Sequence, residues 1–104
     1  MECFKCRLIT PFFDRIPLDV GPGAEIVKVV ERIASHRLGR DIPHTGAGFW
    51  TDAALLAEVG FDSILFGPTG AGAHSAEEWV DVQSVVDTTH ILAETAIEFC
   101  GIAK

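Results

Sequence analysis

The spacing of apolar positions divides the chain into a few segments of distinct period. Phe4, Cys6 and Leu8 alternate with Lys5 and Arg7, with Thr10 close by, which predicts a half-buried strand at the start. Residues 11–17 form a Pro-bounded loop, and Gly21-Pro22-Gly23 closes the approach to the next segment. Ile26, Val27, Val29, Val30, Ile33, Ala34 and Leu38 recur at intervals of three and four, predicting an amphipathic helix over residues 24–38 that stops at Gly39. Residues 41–46 read as a short extended piece. Thr51 or Asp52 caps a short helix running through Val59 to a stop at Gly60. Ser63-Ile64-Leu65-Phe66 is a brief apolar run closed by Gly67-Pro68, the pattern of a buried strand ending in a loop. Asp81 then caps a second long helix reaching about Phe99 and stopped by Gly101. Its apolar stripe is Val82, Val85, Val86, Thr89, Leu92, Ala93, Ala96, Ile97 and Cys100.

These elements predict a small α/β unit in which two long amphipathic helices pack on a few strands. Composition sharpens that picture. At 104 residues the chain is one domain at most, yet 48% of it is hydrophobic and the mean hydropathy is +0.29. A chain this short buries only part of its apolar surface, so the excess predicts a face meant for a partner. The formal net charge of −7 argues against nucleic acid or an anionic membrane as that partner. No apolar run approaches the ~20 residues of a membrane span, and the N-terminus lacks a signal-peptide plan, so the expected location is cytoplasmic. Cys3, Cys6 and Cys100 offer neither a disulfide framework nor a four-thiolate metal site, and they read as ordinary thiols.

The chemistry concentrates after residues 63–66. Thr69-Gly70-Ala71-Gly72-Ala73 carries little side-chain bulk, so a ligand or another backbone can approach closely, and His74, Glu77 and Glu78 follow. A histidine delivered by such a loop is placed to bind a metal, while its bland alternative is a surface residue. A phosphate-cradling loop is excluded. Ala73 and His74 stand where a Walker motif needs Lys and Ser or Thr, and the two glutamates would oppose a pyrophosphate at a helix start. His36 suits the last turn of its helix, His44 has no companion at ligand spacing, and His90 lies off the apolar stripe.

Residues 48–82, with Thr51-Asp52-Ala53 before a short helix and Gly67-Pro68 leading through the glycine-rich turn to His74 and Glu77-Glu78-Trp79-Val80, carry a family resemblance. This stretch resembles the C-terminal part of the zinc-dependent amidohydrolases and exopeptidases typified by acetylornithine deacetylase, succinyl-diaminopimelate desuccinylase, aminoacylase and carboxypeptidase G. The resemblance implies a partial three-layer zinc-exopeptidase-like catalytic domain. Residues 1–16 would be the last strand of a lid-like domain and its hinge, and residues 17–104 the C-terminal part of the catalytic domain. The implied reaction is hydrolysis of the amide bond of an N-acyl amino acid or peptide end, with two zinc ions in the complete enzyme. His74 matches a zinc ligand of the family. Thr51 and Asp52 match its substrate end, with Gly70, Ala71 and Gly72 beside them, although the same Thr-Asp pair reads equally as a helix cap. Glu77 and Glu78 read as groups at a helix start or behind the metal ligands.

The departures are as informative. The chain has no His-x-Asp pair, no Glu-Glu pair upstream of the metal residue and no lid histidine, so it lacks the general base and most of the metal ligands. A catalytic zinc site normally takes three protein ligands. The isolated chain is therefore expected to be inactive and to bind zinc weakly at most through one imidazole. The Met1 start suggests a truncated frame, a split gene product or an expressed piece. The expected partners are a small acylated substrate in the complete enzyme, and either the missing N-terminal part or another copy of the chain. The alternative reading is a non-catalytic α/β remnant that oligomerises through its apolar face.

Overall fold

A computed structural model of the chain describes residues 15–104. The predicted opening strand, the Cys3/Cys6 pair and most of the proposed lid segment lie outside the described residues. Five elements follow in order: α1 (Glu25–Leu38), α2 (Ala53–Glu58), β1 (Gly70–Ala71), β2 (Trp79–Val80) and α3 (Val82–Cys100). The ends of both long helices fall where the sequence puts them. Gly39 closes α1 in the left-handed conformation at φ 64°, its N–H donating to the Ser35 carbonyl at 2.9 Å. Asp81 caps α3 by accepting from the Ser84 N–H at 2.6 Å, and Gly101 closes it at φ 76°. Asp81→Ala removes that cap. It should cost about 1 kcal/mol and lower the thermal midpoint by roughly 4–8 °C, as calorimetry would read it for a domain of this size.

The core is the contact between α1 and α3. Val29, Val30, Ile33 and Ala34 of α1 and Ile91 of α3 form one buried cluster, and Ile26, Leu38, Ile42, Ile64 and Phe66 pack against its edge. Two ion pairs, Arg32 to Glu98 and Arg37 to Asp87 at 2.9 Å, run in opposite sequence order and set the helices antiparallel. Such exposed pairs contribute ~0.2–1 kcal/mol each, so they select the register more than they supply stability. Thr95 is buried beside this seam, its hydroxyl donating to the Ile91 carbonyl at 2.7 Å.

Two expectations need correction. The stripe expected to pack α3 is not the one that packs. Ile91 and Thr95 are buried against α1, whereas Val82, Val85, Val86, Leu92 and Ile97 of the predicted stripe are exposed, Val82 by 74%. The apolar residues of α3 lie on more than one side, and the side that packs on α1 is the one flanked by Asp87 and Glu98, which pair with Arg37 and Arg32. The second correction concerns residues 63–66, which are neither helical nor paired in a sheet. They keep a strand's alternation, with Ile64 and Phe66 turned to the core and Leu65 outward, but no other described segment bonds to them. Among the described residues the sheet consists of β1 and β2, antiparallel, pairing Gly70 with Val80 and Ala71 with Trp79. The fold is thus mixed α and β with a minimal sheet.

Much apolar surface stays open. The accessible area is 8947 Å², against about 5,700 Å² expected of a compact monomer of this mass. The radius of gyration is 17.9 Å, against about 13 Å for a compact domain of ~100 residues. Among the described residues, no helix is long and apolar enough to cross a membrane.

Candidate functional site

The loop that carries His74 is the turn of the β1–β2 hairpin, and its shape is forced by small residues. A Cβ on Gly70 would stand 2.4 Å from the Trp79 carbonyl oxygen. One on Gly72, whose φ is +80°, would stand 1.9 Å from that of Glu77. The bulk-free stretch therefore admits another backbone, its own returning strand, and the two glycines are needed for that approach. Ser75 locks the turn: its N–H donates to the Gly72 carbonyl at 2.8 Å and its hydroxyl lies 2.7 Å from the carbonyls of both Gly72 and Glu77. Sequence reading passed over Ser75, and a serine three residues after a glycine turn was the available signal.

The hairpin is in turn tied to the start of α3. Asp81 N–H donates to the Thr69 carbonyl at 2.8 Å, Thr69 N–H donates to the Ser84 hydroxyl at 2.9 Å, and that hydroxyl donates to the Asp81 carbonyl at 2.7 Å. His74 itself sits at φ 64°, the one non-glycine residue with positive φ among the described residues. Its ring is exposed and has no hydrogen-bond or ion-pair partner there. For a residue other than Gly or Asn, that backbone conformation is uncommon and is held by the surrounding turn.

Glu77 and Glu78 are exposed within the same turn, ahead of β2, and so do not sit at the helix start, which Asp81 occupies. Thr51 and Asp52 lie at the start of α2. The Thr51 hydroxyl accepts from the Ala53 N–H at 3.3 Å, while Asp52, at the N-cap position, makes no side-chain cap bond. A cleft of about 660 Å³ is lined by Thr51 but by none of Asp52, the glycine loop, His74, Glu77 or Glu78. Thr51 and His74 therefore belong to separate surfaces within the described residues. A rim of polar groups marks this cleft. His44 pairs with Glu31 at 3.3 Å, and Arg15 stacks 3.9 Å from the Trp50 ring centroid while the Trp50 indole N–H donates to the Ile16 carbonyl at 3.2 Å.

As a metal centre the donor set is incomplete. No group of three or more His, Cys, Asp or Glu side chains able to hold a metal is present among the described residues. His74 offers one imidazole, which does not by itself hold a zinc ion.

The loop that the sequence reading has delivering His74 after residues 63–66 is here the turn of a hairpin, and comparison with known proteins identifies the family of the chain. The chain belongs to peptidase family M20/M25/M40, whose profile matches residues 9–98. Among curated relatives it is 29% identical over 82 residues to an N-formyl-4-amino-5-aminomethyl-2-methylpyrimidine deformylase of Halalkalibacterium halodurans, covering 78% of this chain and 19% of that protein. It is 30% identical over 79 residues to an acetylornithine deacetylase of Myxococcus xanthus, covering 75% of this chain and 19% of that one. The chain thus spans about a fifth of the length of the curated relatives it matches. No solved structure matches it.

Proposed function

We propose that this chain supplies one part of a metal-dependent amidohydrolase that cleaves the amide bond of an N-acyl amino acid or peptide end, as the acetylornithine deacetylase relative's name suggests. The observation that carries the reading is His74: an exposed, unpartnered imidazole fixed in a left-handed turn by Gly70, Gly72 and Ser75. In this reading residues 1–16 belong to the hinge of a lid and residues 17–104 to the catalytic domain, which in complete form is a three-layer zinc-exopeptidase-like fold. His74 contributes one ligand, and the remaining ligands and the general base come from outside these residues. Two bound zinc ions would supply carbonyl polarisation and an activated water. The chain's own residues do the positioning. The hairpin holds the imidazole and Glu77 and Glu78 add negative charge beside it, while Thr51 and Asp52, on a surface separate from His74 here, would meet the substrate with Gly70, Ala71 and Gly72 only in the complete enzyme.

Alone, the chain should be inactive. Calorimetric titration with zinc chloride should give only the millimolar-range affinity of a single imidazole, with no change in helicity. A micromolar site of defined stoichiometry would contradict the incomplete donor set. The second reading, a non-catalytic module that pairs with a copy of itself, is favoured by the open α3 face. A stable metal-free dimer that never joins a larger polypeptide would select it.

A further inference from the structure

The hairpin is held at two levels, and only one of them touches the turn that carries His74. At the base, bonds among Thr69, Asp81 and Ser84 tie the outer ends of the strands to the first turn of α3. At the tip, residues 72–75 form a four-residue turn closed by the Ser75 N–H on the Gly72 carbonyl at 2.8 Å. Ala73 has a negative φ and His74 a φ of 64°, the sense of a type II turn, whose third position favours glycine or asparagine. A histidine there keeps its conformation only where its neighbours fix it. The exposed ring has no hydrogen-bond or ion-pair partner among the described residues, so its direction follows from the turn beneath it.

Within residues 71–79, the side-chain hydrogen bonds among the described residues all come from Ser75. Its hydroxyl lies 2.7 Å from the Gly72 carbonyl, two residues before His74, and 2.7 Å from the Glu77 carbonyl, three residues after it. One proton serves both acceptors in turn: toward Gly72 it closes the turn around His74, and toward Glu77 it ties that turn to the segment returning to β2. A Cβ on Gly72 would stand 2.9 Å from this hydroxyl oxygen, so the bare glycine also makes room for the hydroxyl to lie across the turn. We propose that Ser75 is a positioning residue for His74: its hydroxyl fixes the tip of the hairpin and hence the direction of the imidazole, while Ser84 and Asp81 fix the hairpin as a whole. The proposal deepens the hydrolase reading and rests on it for the use to which the ring is put.

The test is backbone ¹⁵N relaxation on the whole chain and on three variants, Ser75→Ala, Ser75→Thr and Ser84→Ala. In the unaltered chain the order parameter at His74 should stand near about 0.85, the value of rigid backbone, and in Ser75→Ala it should fall below about 0.6. That loss should be confined to residues 73–76, with the amide shifts of β1, β2 and Asp81 retained. Ser75→Thr, which keeps a hydroxyl at the same position, should restore the rigid value. Ser84→Ala should instead loosen the hairpin from its base, over residues 69–81. A mobile His74 in the unaltered chain, an unchanged order parameter in Ser75→Ala, or no recovery in Ser75→Thr would overturn the proposal. So would loss of the whole hairpin in Ser75→Ala, or the same pattern in Ser75→Ala and Ser84→Ala, since the serine would then staple the strands and not aim the ring. No metal enters these measurements, so failure here and failure of the ligand assignment of His74 are separate results.

Discussion

Gly72→Ala should abolish the β1–β2 hairpin, while Gly67→Ala, five residues earlier, should be nearly silent. At Gly72 the added Cβ would stand 1.9 Å from the Glu77 carbonyl oxygen, at a φ of +80°. No side-chain rotation relieves a clash with backbone, so the turn must open. The left-handed conformation alone costs a non-glycine residue roughly 1–2 kcal/mol, and separating the strands adds the Ser75 hydrogen bonds at about 1 kcal/mol each. A total near 3 kcal/mol is on the scale of severe single substitutions. A Cβ at Gly67 meets nothing within 4 Å, and a change within about 0.5 kcal/mol is expected there. Amide chemical shifts of residues 69–81 would report the hairpin directly, and denaturant unfolding would give the energies. Retention of native shifts in Gly72→Ala would mean that the turn is not built around that glycine.

In the complete enzyme, His74→Ala should reduce turnover by several orders of magnitude and lower zinc content, with the fold unchanged. The ring is exposed and has no hydrogen-bond partner among the described residues, so its removal costs little packing, whereas a catalytic zinc site has few ligands to lose. Glu77→Gln should be milder, roughly 10–100-fold, the scale of groups that act on a metal through its ligands. The two variants separate the roles: equal losses would place the glutamate on the metal, and a fully active His74→Ala enzyme of normal zinc content would end the ligand assignment.

The parts of this fold that depend on one segment at a time were legible in the sequence. Gly39, Asp81 and Gly101 mark helix ends because the cap interactions they make are local, and the hydrogen bonds at those positions match. Relations between segments were not legible. The alternation of Ile64, Leu65 and Phe66 reads as a strand and is realised in their burial, but a ladder needs a second segment, and none of the described residues provides one. Periodicity likewise found the densest apolar stripe of α3 and assigned it to the core. The face that packs carries Ile91 and Thr95 instead, flanked by Asp87 and Glu98, whose partners Arg37 and Arg32 stand on another helix. Similarly, Gly70 and Gly72 were visible as small residues, while the identity of the approaching backbone, Trp79 and Glu77, emerges only from the hairpin register.

The chain of bonds from Ser75 through Gly72 to Thr69, Asp81 and Ser84 has an entropic consequence for any group that His74 meets. An imidazole carried on a floppy tether must have its backbone ordered at the moment of binding, at about 1–2 kcal/mol for each residue fixed. Here the turn is ordered during folding, by hydrogen bonds anchored on the first turn of a 19-residue helix. Preorganisation of this kind shifts the ordering cost from association to folding, so the affinity of the ring for its target need not offset it. It also makes the firmness of that first turn, beside the exposed Val82 and Val86, the quantity that sets how sharply the ring is aimed.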